Sequence, residues 1–473
     1  MLPGSNADTE AEKTFLNPAS YNRGYYMGNA DRSSEFISYL KKKFHFSLDE
    51  LRQVIKYFHT EMENGLRDGS GSLRMLPSFA GMPSGKEKGS FLALDLGGTN
   101  FRILDLDLDG QGDFRICDHV RLVIPEDCAH GKGSDLFDFI ARALKSFLEK
   151  NRISPGRDLG FVFSFPVHQT EIDKGILVDW TKDFSASGVV GSDVVFLLKE
   201  ALKRNNVPEV NVVALVNDTV STLLGEAYAS PDVDVGVILG TGTNACYAEK
   251  IDNIEKVPGA RAYGPDMIIN MEWGNFNLLK QNYYDRKLDQ RTAYPGTQAL
   301  EKMVSGMYLG RLVKIILDEC VQKKILFSGK DRIAFTHAAF GSEDISLVES
   351  DSDSGLLFVR DFLEKNGVMH SKPEDRYFLQ AVCRIVSRRA ARISAAGIGA
   401  VLTRLDPELE FGHIVAVDGS LFQKHPDFGQ KLRSALEELF VEKTHKIRIR
   451  ASSDGSGRGG AVACAVTRAR NRK

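Results

Sequence analysis

Four acidic positions stand where their neighbours could put them to chemical use: Asp95 before Gly97-Gly98-Thr99-Asn100, Asp218 after Asn217 in LVNDTVSTLLG, Glu272 in EWG and Glu301 in PGTQALEKMVSG. Glycine turns expose backbone N–H groups, and threonine adds a hydroxyl, so such turns can surround a polyphosphate. The stretch FLALDLGGTNFR (91–102) has that character. It is neither the dinucleotide pattern G-x-G-x-x-G nor the P-loop, because no third glycine or lysine follows. Hydrated Mg²⁺ takes one or two carboxylates, which suits Asp95 beside phosphates. A simple cap on the Gly97-Gly98 turn is the competing reading, and both stand at this level.

Transfer of a phosphoryl group to a hydroxyl requires a carboxylate to accept the hydroxyl proton and a cation to meet the developing charge. Asp218 fits the first need, although at the end of an apolar strand it also reads as the N-cap of the next helix. Lys182 in DWTKDF fits the second, against the ordinary alternative of a solvated loop lysine. Glu272 and Glu301, interspersed with Asn and Ser, supply what a polyhydroxylated ligand demands, since each buried hydroxyl must find a partner. In isolation a helix-borne Glu301 would simply face solvent.

The elements that must position these residues alternate between apolar runs and amphipathic helices, which predicts an α/β fold with parallel or mixed sheets. Residues 1–32 read as a leader, and 69–89, dense in Gly, Ser and Pro, as a linker. Ser47 and Glu50 form a capping-box signature before Leu51, Val54, Ile55, Phe58, Met62 and Leu66 at helical spacing. Ser134 is expected to cap a helix carrying Leu136, Phe139, Ile140, Ala143, Leu144 and Phe147 on one face. LGFVFSFPV (159–167) reads as a strand stopped by Pro166. A helix near 193–205, the strand NVVALV and a helix from about 219 follow. The plan of FLALDLGGTNFR then repeats in VGVILGTGTNACY (235–247), and strand-to-Gly-Ser turns recur in FGHIVAVDGSLF (411–422) and IRIRASSDGSGRGGAVACAV (447–466). Such repetition predicts two similar halves whose loops converge on one polyanion.

The chain has 473 residues, enough for two lobes, with 61 basic against 63 acidic side chains, so no net field points to nucleic acid or anionic lipid. Six cysteines without C-x-x-C spacing predict free thiols in a reducing compartment. No apolar run reaches the ~18 residues of a membrane span, and the polar opening predicts neither signal nor anchor, so a cytoplasmic protein is expected. Arg384, Arg388, Arg389 and Arg392 resemble a basic patch. Ile385, Val386, Ala390 and Ile393 give the same helix a core face, which predicts arginines on its exposed side and no nucleic-acid partner.

Together, LPSFAGMPSGKEKG, LDLGGTNFR, FSFPV, DWTK, LVNDTVSTL, GTGTNACY, EWG, PGTQALEKMVSGMYLG, AVDGSLF and SDGSGRG occur in the order found in eukaryotic-type hexokinases, and the resemblance covers about 33–468. It implies the two-lobed actin-like, ribonuclease H-like ATPase fold with a deep cleft. The small lobe would be 81–216 with 461–473 and the large lobe 1–80 with 217–460. As sequence halves these are about 33–230 and 231–468. The implied reaction is transfer of the ATP γ-phosphoryl group to the 6-hydroxyl of glucose or a related hexose, the entry step of glycolysis, with MgATP as co-substrate. The chain would act as a monomer or homodimer. By motif, Asp218 resembles the general base and Lys182 the transition-state cation. Ser164, Thr181, Lys182, Asn217, Asp218, Asn244, Glu272 and Glu301 resemble the sugar set. Asp95, Gly97, Gly98, Thr99, Asn100, Arg102, Thr241, Gly242, Gly419 and Ser420 resemble the ATP loops, with Asp95 holding Mg²⁺ through water. Two departures are Asp183, where glycine usually follows the lysine, and Arg311, where an acid is common. An actin-like ATPase without sugar chemistry, or a catalytically reduced sugar sensor, is the alternative.

Overall fold

In the computed structural model, the described residues are 29–470 apart from 99, 182–183, 328–330, 332, 334, 336, 338–339 and 453–454. The expected leader therefore lies almost wholly outside them, as do Lys182, Asp183 and Thr99. Two compact units emerge, one taking in residues up to His45 with Arg311–Val386, the other Phe46–Gly310 with residues from Ser387 onward. In the first, Phe36 of helix Asn29–Phe44 packs on Phe378 at 6.2 Å between ring centroids. Every described candidate residue belongs to the second.

That unit is built on two sheets of the same plan. The strands are β1 (Leu76–Pro77), β2 (Lys88–Leu96), β3 (Asn100–Asp109), β4 (Phe114–Val123), β5 (Arg157–Phe163), β6 (Val167–Glu171), β7 (Lys174–Leu177) and β8 (Val210–Val216). They continue with β9 (Val233–Leu239), β10 (Thr243–Lys250), β11 (Asp266–Asn270), β12 (His413–Asp418) and β13 (Ile447–Ala451). One sheet runs β4-β3-β2-β5-β8: β2, β3 and β4 form an antiparallel meander, and β5 and β8 lie parallel to β2 and to each other in turn. The other runs β11-β10-β9-β12-β13 with the same senses, and β1 is added at its edge. The repeated sequence plan is thus a repeated topology. In both halves the glycine turn closes the hairpin after the first strand.

The apolar runs place the core on both faces of the first sheet, because alternate residues of a strand face opposite ways. Leu92, Leu94 and Leu96 join a cluster with Leu136, Ile140 and Leu144 of helix Gly133–Lys150 and Leu198 of helix Val194–Arg204. Phe91 and Ala93 face the other way, toward helices Asp218–Ala229 and Gly455–Arg470 and, beyond them, Val233, Cys246 and Ile414 of the second sheet. The two helices approach closely because small residues meet. A Cβ on Gly459 would lie 1.8 Å from the Ser221 carbonyl oxygen, and one on Gly160 of β5 would lie 2.0 Å from that of Gly460.

Several expectations are corrected. The Gly/Ser/Pro-rich 69–89 is packed rather than a free linker: Leu76 and Pro77 pair with Asn270 and Ile269, and Leu73, Met75, Phe79 and Ala80 are buried. The strand read as 159–167 ends at Phe163, and Val167 opens a separate β6–β7 hairpin. Ser134 does not cap its helix. That helix begins at Gly133, whose N–H donates to the Ser187 carbonyl at 2.8 Å, and the Ser134 hydroxyl turns to Asp135. The arginines do not all face solvent either. Arg384 and Arg388 are exposed, but Arg389 donates to both oxygens of Asp285 at 2.8 Å, and Arg392 to Glu438 at 2.7 Å. The second half of helix Pro373–Leu405 is buried all round, so a charge there must be paired. The Ser47–Glu50 capping box forms as expected, with both reciprocal bonds present.

Candidate functional site

Asp218 owes its position to the end of β8. The apolar strand finishes at Val216, Asn217 takes extended backbone, and its side chain accepts the Val220 N–H at 2.8 Å. Asn217 is therefore the N-cap and Asp218 the first helical residue, a correction to the expectation that Asp218 itself caps. The reason is geometric: the cap must accept from a residue two or three positions on. Asp218 Oδ1 instead accepts from its neighbour Thr219, from N at 2.8 Å and from Oγ1 at 3.2 Å. The helix N-terminus favours its negative charge. Helix and second sheet are tied by Cys246, whose Sγ donates to the Thr219 carbonyl at 3.2 Å. Burial pushes that thiol far above its ordinary range, and the charge of Asp218 adds to the effect.

A carboxamide–carboxylate network forms at one end of the second sheet. Asn244 Nδ2 donates to Asn270 Oδ1 at 2.7 Å and to Glu272 Oε1 at 3.4 Å, and Asn270 Nδ2 donates to the same Glu272 oxygen at 2.9 Å. Glu272 has left-handed backbone, φ 51°, as does Gln298, φ 52°, just ahead of the short helix bearing Glu301. Non-glycine residues held there carry strain that clusters at functional sites. Glu301 does not face solvent as an isolated helix would have it. Its Oε2 accepts the Thr243 N–H at 3.0 Å, and its carboxylate lies between Gly242 and Gly274, where added Cβ atoms would stand 3.3 and 3.0 Å from its oxygens.

The glycine turns gather in pairs. Gly419, with φ 118°, backs onto the β9–β10 turn, and a Cβ there would fall 2.5 Å from the Leu239 carbonyl. Thr241-Gly242 and Gly419-Ser420 are thereby brought side by side. On the first sheet, Asp95 and Arg102 are cross-strand partners on β2 and β3 and form an ion pair, with Arg102 Nε 3.2 Å from Asp95 Oδ2. Gly457 lies near the Arg102 guanidinium, 3.6 Å from where its Cβ would be. Gly97 and Gly98 form the turn, and Asn100 opens β3. Ser164 is buried just past β5, its N–H donating to the Leu96 carbonyl at 3.2 Å, which joins it to this hairpin. Thr181 accepts the Phe184 N–H at 3.2 Å beside Trp180, which is wedged among Phe163, Phe165 and Phe184.

A cavity of about 860 Å³ opens to one side, with Asn275, Gln298, His168, Lys256, Phe79 and Tyr263 in its wall; Asp218, Asn244, Asn270, Glu272 and Glu301 do not line it. Burial lowers the Lys256 amine to about 8. Sequence reading missed Asn270 and Gln298. Asn270 ends a strand with no motif around it, and only strand pairing sets it against Asn244. For Gln298 the signal is the left-handed backbone, which sequence does not display. Among the described residues no group of three or more His, Cys, Asp or Glu could enclose a metal. A single carboxylate at a glycine turn, here Asp95 in its ion pair with Arg102, is the donor set of a largely hydrated Mg²⁺ rather than of an enclosed metal.

The duplicated sheets, each with a glycine hairpin after its first strand, define the two-lobed, actin-like and ribonuclease H-like class. Two family models, both described as hexokinase, match residues 37–228 and 234–466. A Schistosoma mansoni hexokinase complexed with glucose superimposes with a TM-score of 0.82 at 35% identity, covering 92% of this chain and 99% of that one. Rat (Rattus norvegicus) hexokinase-3 is 41% identical over 439 residues, 90% of this chain and 46% of the relative. Human (Homo sapiens) hexokinase-1 is 41% identical over 438 residues, 89% of this chain and 47% of the relative. The chain belongs to the hexokinase family. It spans about half the length of the curated relatives it matches.

Proposed function

We propose that this chain transfers the γ-phosphoryl group of ATP to the 6-hydroxyl of glucose or a related hexose, the entry step of glycolysis, in the cytoplasm. The observation that supports this reading is the meeting of Glu301 and the Asn244–Asn270–Glu272 network with the 241–242 and 419–420 turns, the helix that begins at Asp218 being tied to the same sheet by the Cys246–Thr219 bond. A sugar in that network, with Ser164, Thr181 and Asn217 contributing, presents its 6-hydroxyl to Asp218, which accepts the proton as the oxygen attacks phosphorus. Lys182 meets the charge developing on the transferred group. Gly97, Gly98, Thr99, Asn100 and Arg102 hold the phosphates from the first sheet, and Thr241, Gly242, Gly419 and Ser420 from the second. Mg²⁺, held through water by Asp95, would offset the charge of the phosphate oxygens. The two lobes are those of the sequence division, 81–216 with 461–473 and 1–80 with 217–460. The relative that carries glucose supports the substrate class.

Coupled ADP release across a hexose panel, with a no-sugar control, tests the reading. Turnover that depends on hexose supports it. ADP release that ignores hexose would replace it with a plain actin-like ATPase, which has no use for the carboxamide–carboxylate network.

A further inference from the structure

The phosphate turn between β9 and β10 is braced from behind by residues of the hexose network. Trp273 is fully buried, and its indole Nε1 donates to the Thr243 hydroxyl at 2.9 Å. Its backbone N–H points to Asn244 Oδ1 at 3.4 Å, and it directly follows Glu272. The Thr243 N–H is held by Glu301 at 3.0 Å. The rest of the turn is fixed by Gly306 and Met307, whose N–H groups donate to the carbonyls of Gly240 and Thr241 at 2.8 and 3.1 Å. Around the indole, Phe58 packs edge-on at 6.4 Å between centroids, and a Cβ on Gly397 would approach the ring to 3.0 Å. The indole therefore has little freedom to move without taking Thr243 with it.

We infer that Thr243 and Trp273 are positioning residues that couple the two substrates. A hexose that engages Glu272 and Glu301 fixes both ends of the Trp273–Thr243 link, and with them the Thr241-Gly242 turn to which the proposed function assigns the ATP phosphates. Hexose occupancy thereby raises affinity for MgATP, and by linkage MgATP raises affinity for hexose by the same factor. Neither residue touches a reacting atom. The inference rests on the proposed hexokinase reading.

The test measures binding of a non-hydrolysable MgATP analogue with and without saturating glucose, and glucose binding alone, in wild type, Thr243→Val, Trp273→Phe and Thr243→Ser. Valine keeps the shape of threonine and the backbone bond to Glu301 but removes the acceptor of a buried hydrogen bond. The expected result is a coupling factor reduced about tenfold, with KM for ATP raised and glucose affinity in the absence of nucleotide changed less than about twofold. Trp273→Phe should reproduce this and Thr243→Ser should restore coupling. A merely structural role would lower thermal stability without separating the two affinities. Coupling equal in wild type and Thr243→Val overturns the link, as does a wild type with no coupling. If wild type binds no hexose, the proposed function falls, and the link falls with it.

Discussion

Replacing Asp218 by alanine separates chemistry from folding in a way the local geometry makes quantitative. The carboxylate accepts two bonds from Thr219, at 2.8 and 3.2 Å, and stands at the N-terminal end of a 12-residue helix. Its favourable interaction with the helix dipole is worth about 0.3–1 kcal/mol. The cap itself is Asn217, whose bond to Val220 survives the substitution. The stability loss is therefore expected to stay near ~1 kcal/mol, within reach of a thermal melt and far from unfolding. Turnover should fall by about two to four orders of magnitude, the usual contribution of a positioned base. Asn217→Ala keeps the carboxylate but loses the cap, at a stability cost of about 0.5–2 kcal/mol, and with it a proposed hexose contact, so KM for glucose should rise while kcat falls far less than in Asp218→Ala. The assay is glucose-dependent ADP release, read beside the melting temperature of each variant. A kcat for Asp218→Ala within about threefold of wild type, in folded protein, would remove Asp218 as the base and refute the reasoning.

Glu272→Ala is expected to raise KM for glucose more than it lowers kcat, because the role proposed for Glu272 is to order hydroxyls rather than to move a proton; an unchanged KM counts against the role. Arg389→Ala leaves Asp285 buried without the guanidinium that holds both its oxygens, so denaturant melts should show a loss of about 3–5 kcal/mol. His413 lies between Asp234, at 2.5 Å from Nδ1, and Asp406, at 3.3 Å from Nε2, and the hydrogen bond to Asp234 leads in raising its pKa above the ordinary 6.5. The stability it contributes as a cation is complete below that ordinary value and is lost as pH rises through the folded value. His413→Asn should therefore lower the melting temperature most at acidic pH, with the gap to wild type closing as pH rises; a gap that widens toward alkaline pH would contradict this.

Much of the fold is legible in local sequence because its signals are short-range. The Ser47–Glu50 capping box, the apolar run of β2 and the two Gly-Thr-Asn turns depend on spacing that neighbouring residues carry with them. The repeated plan of strand and turn was visible for the same reason, and it foretold the shared sheet topology. Composition misled where turn residues and burial coincide. Residues 69–89 are rich in glycine and proline yet supply β1, because Leu73, Met75 and Phe79 find a sheet edge that only the distant β11 provides. The arginines of helix Pro373–Leu405 misled similarly: periodicity sees one helix, and whether a flank is solvated depends on what packs there.

For the candidate site, sequence by itself determined which residue types are present and in what order: carboxylates at strand ends, glycine turns, and the Asn217-Asp218 pair. Tertiary structure decided their partners. It gave the cap to Asn217, turned Glu301 from solvent to the Thr243 N–H, and set Asn270 beside Glu272 and Asn244. The physical reason is that hydrogen bonds across strands, and between a helix and a turn dozens of residues away, are fixed by register and packing. A local sequence carries only the groups that can make such bonds.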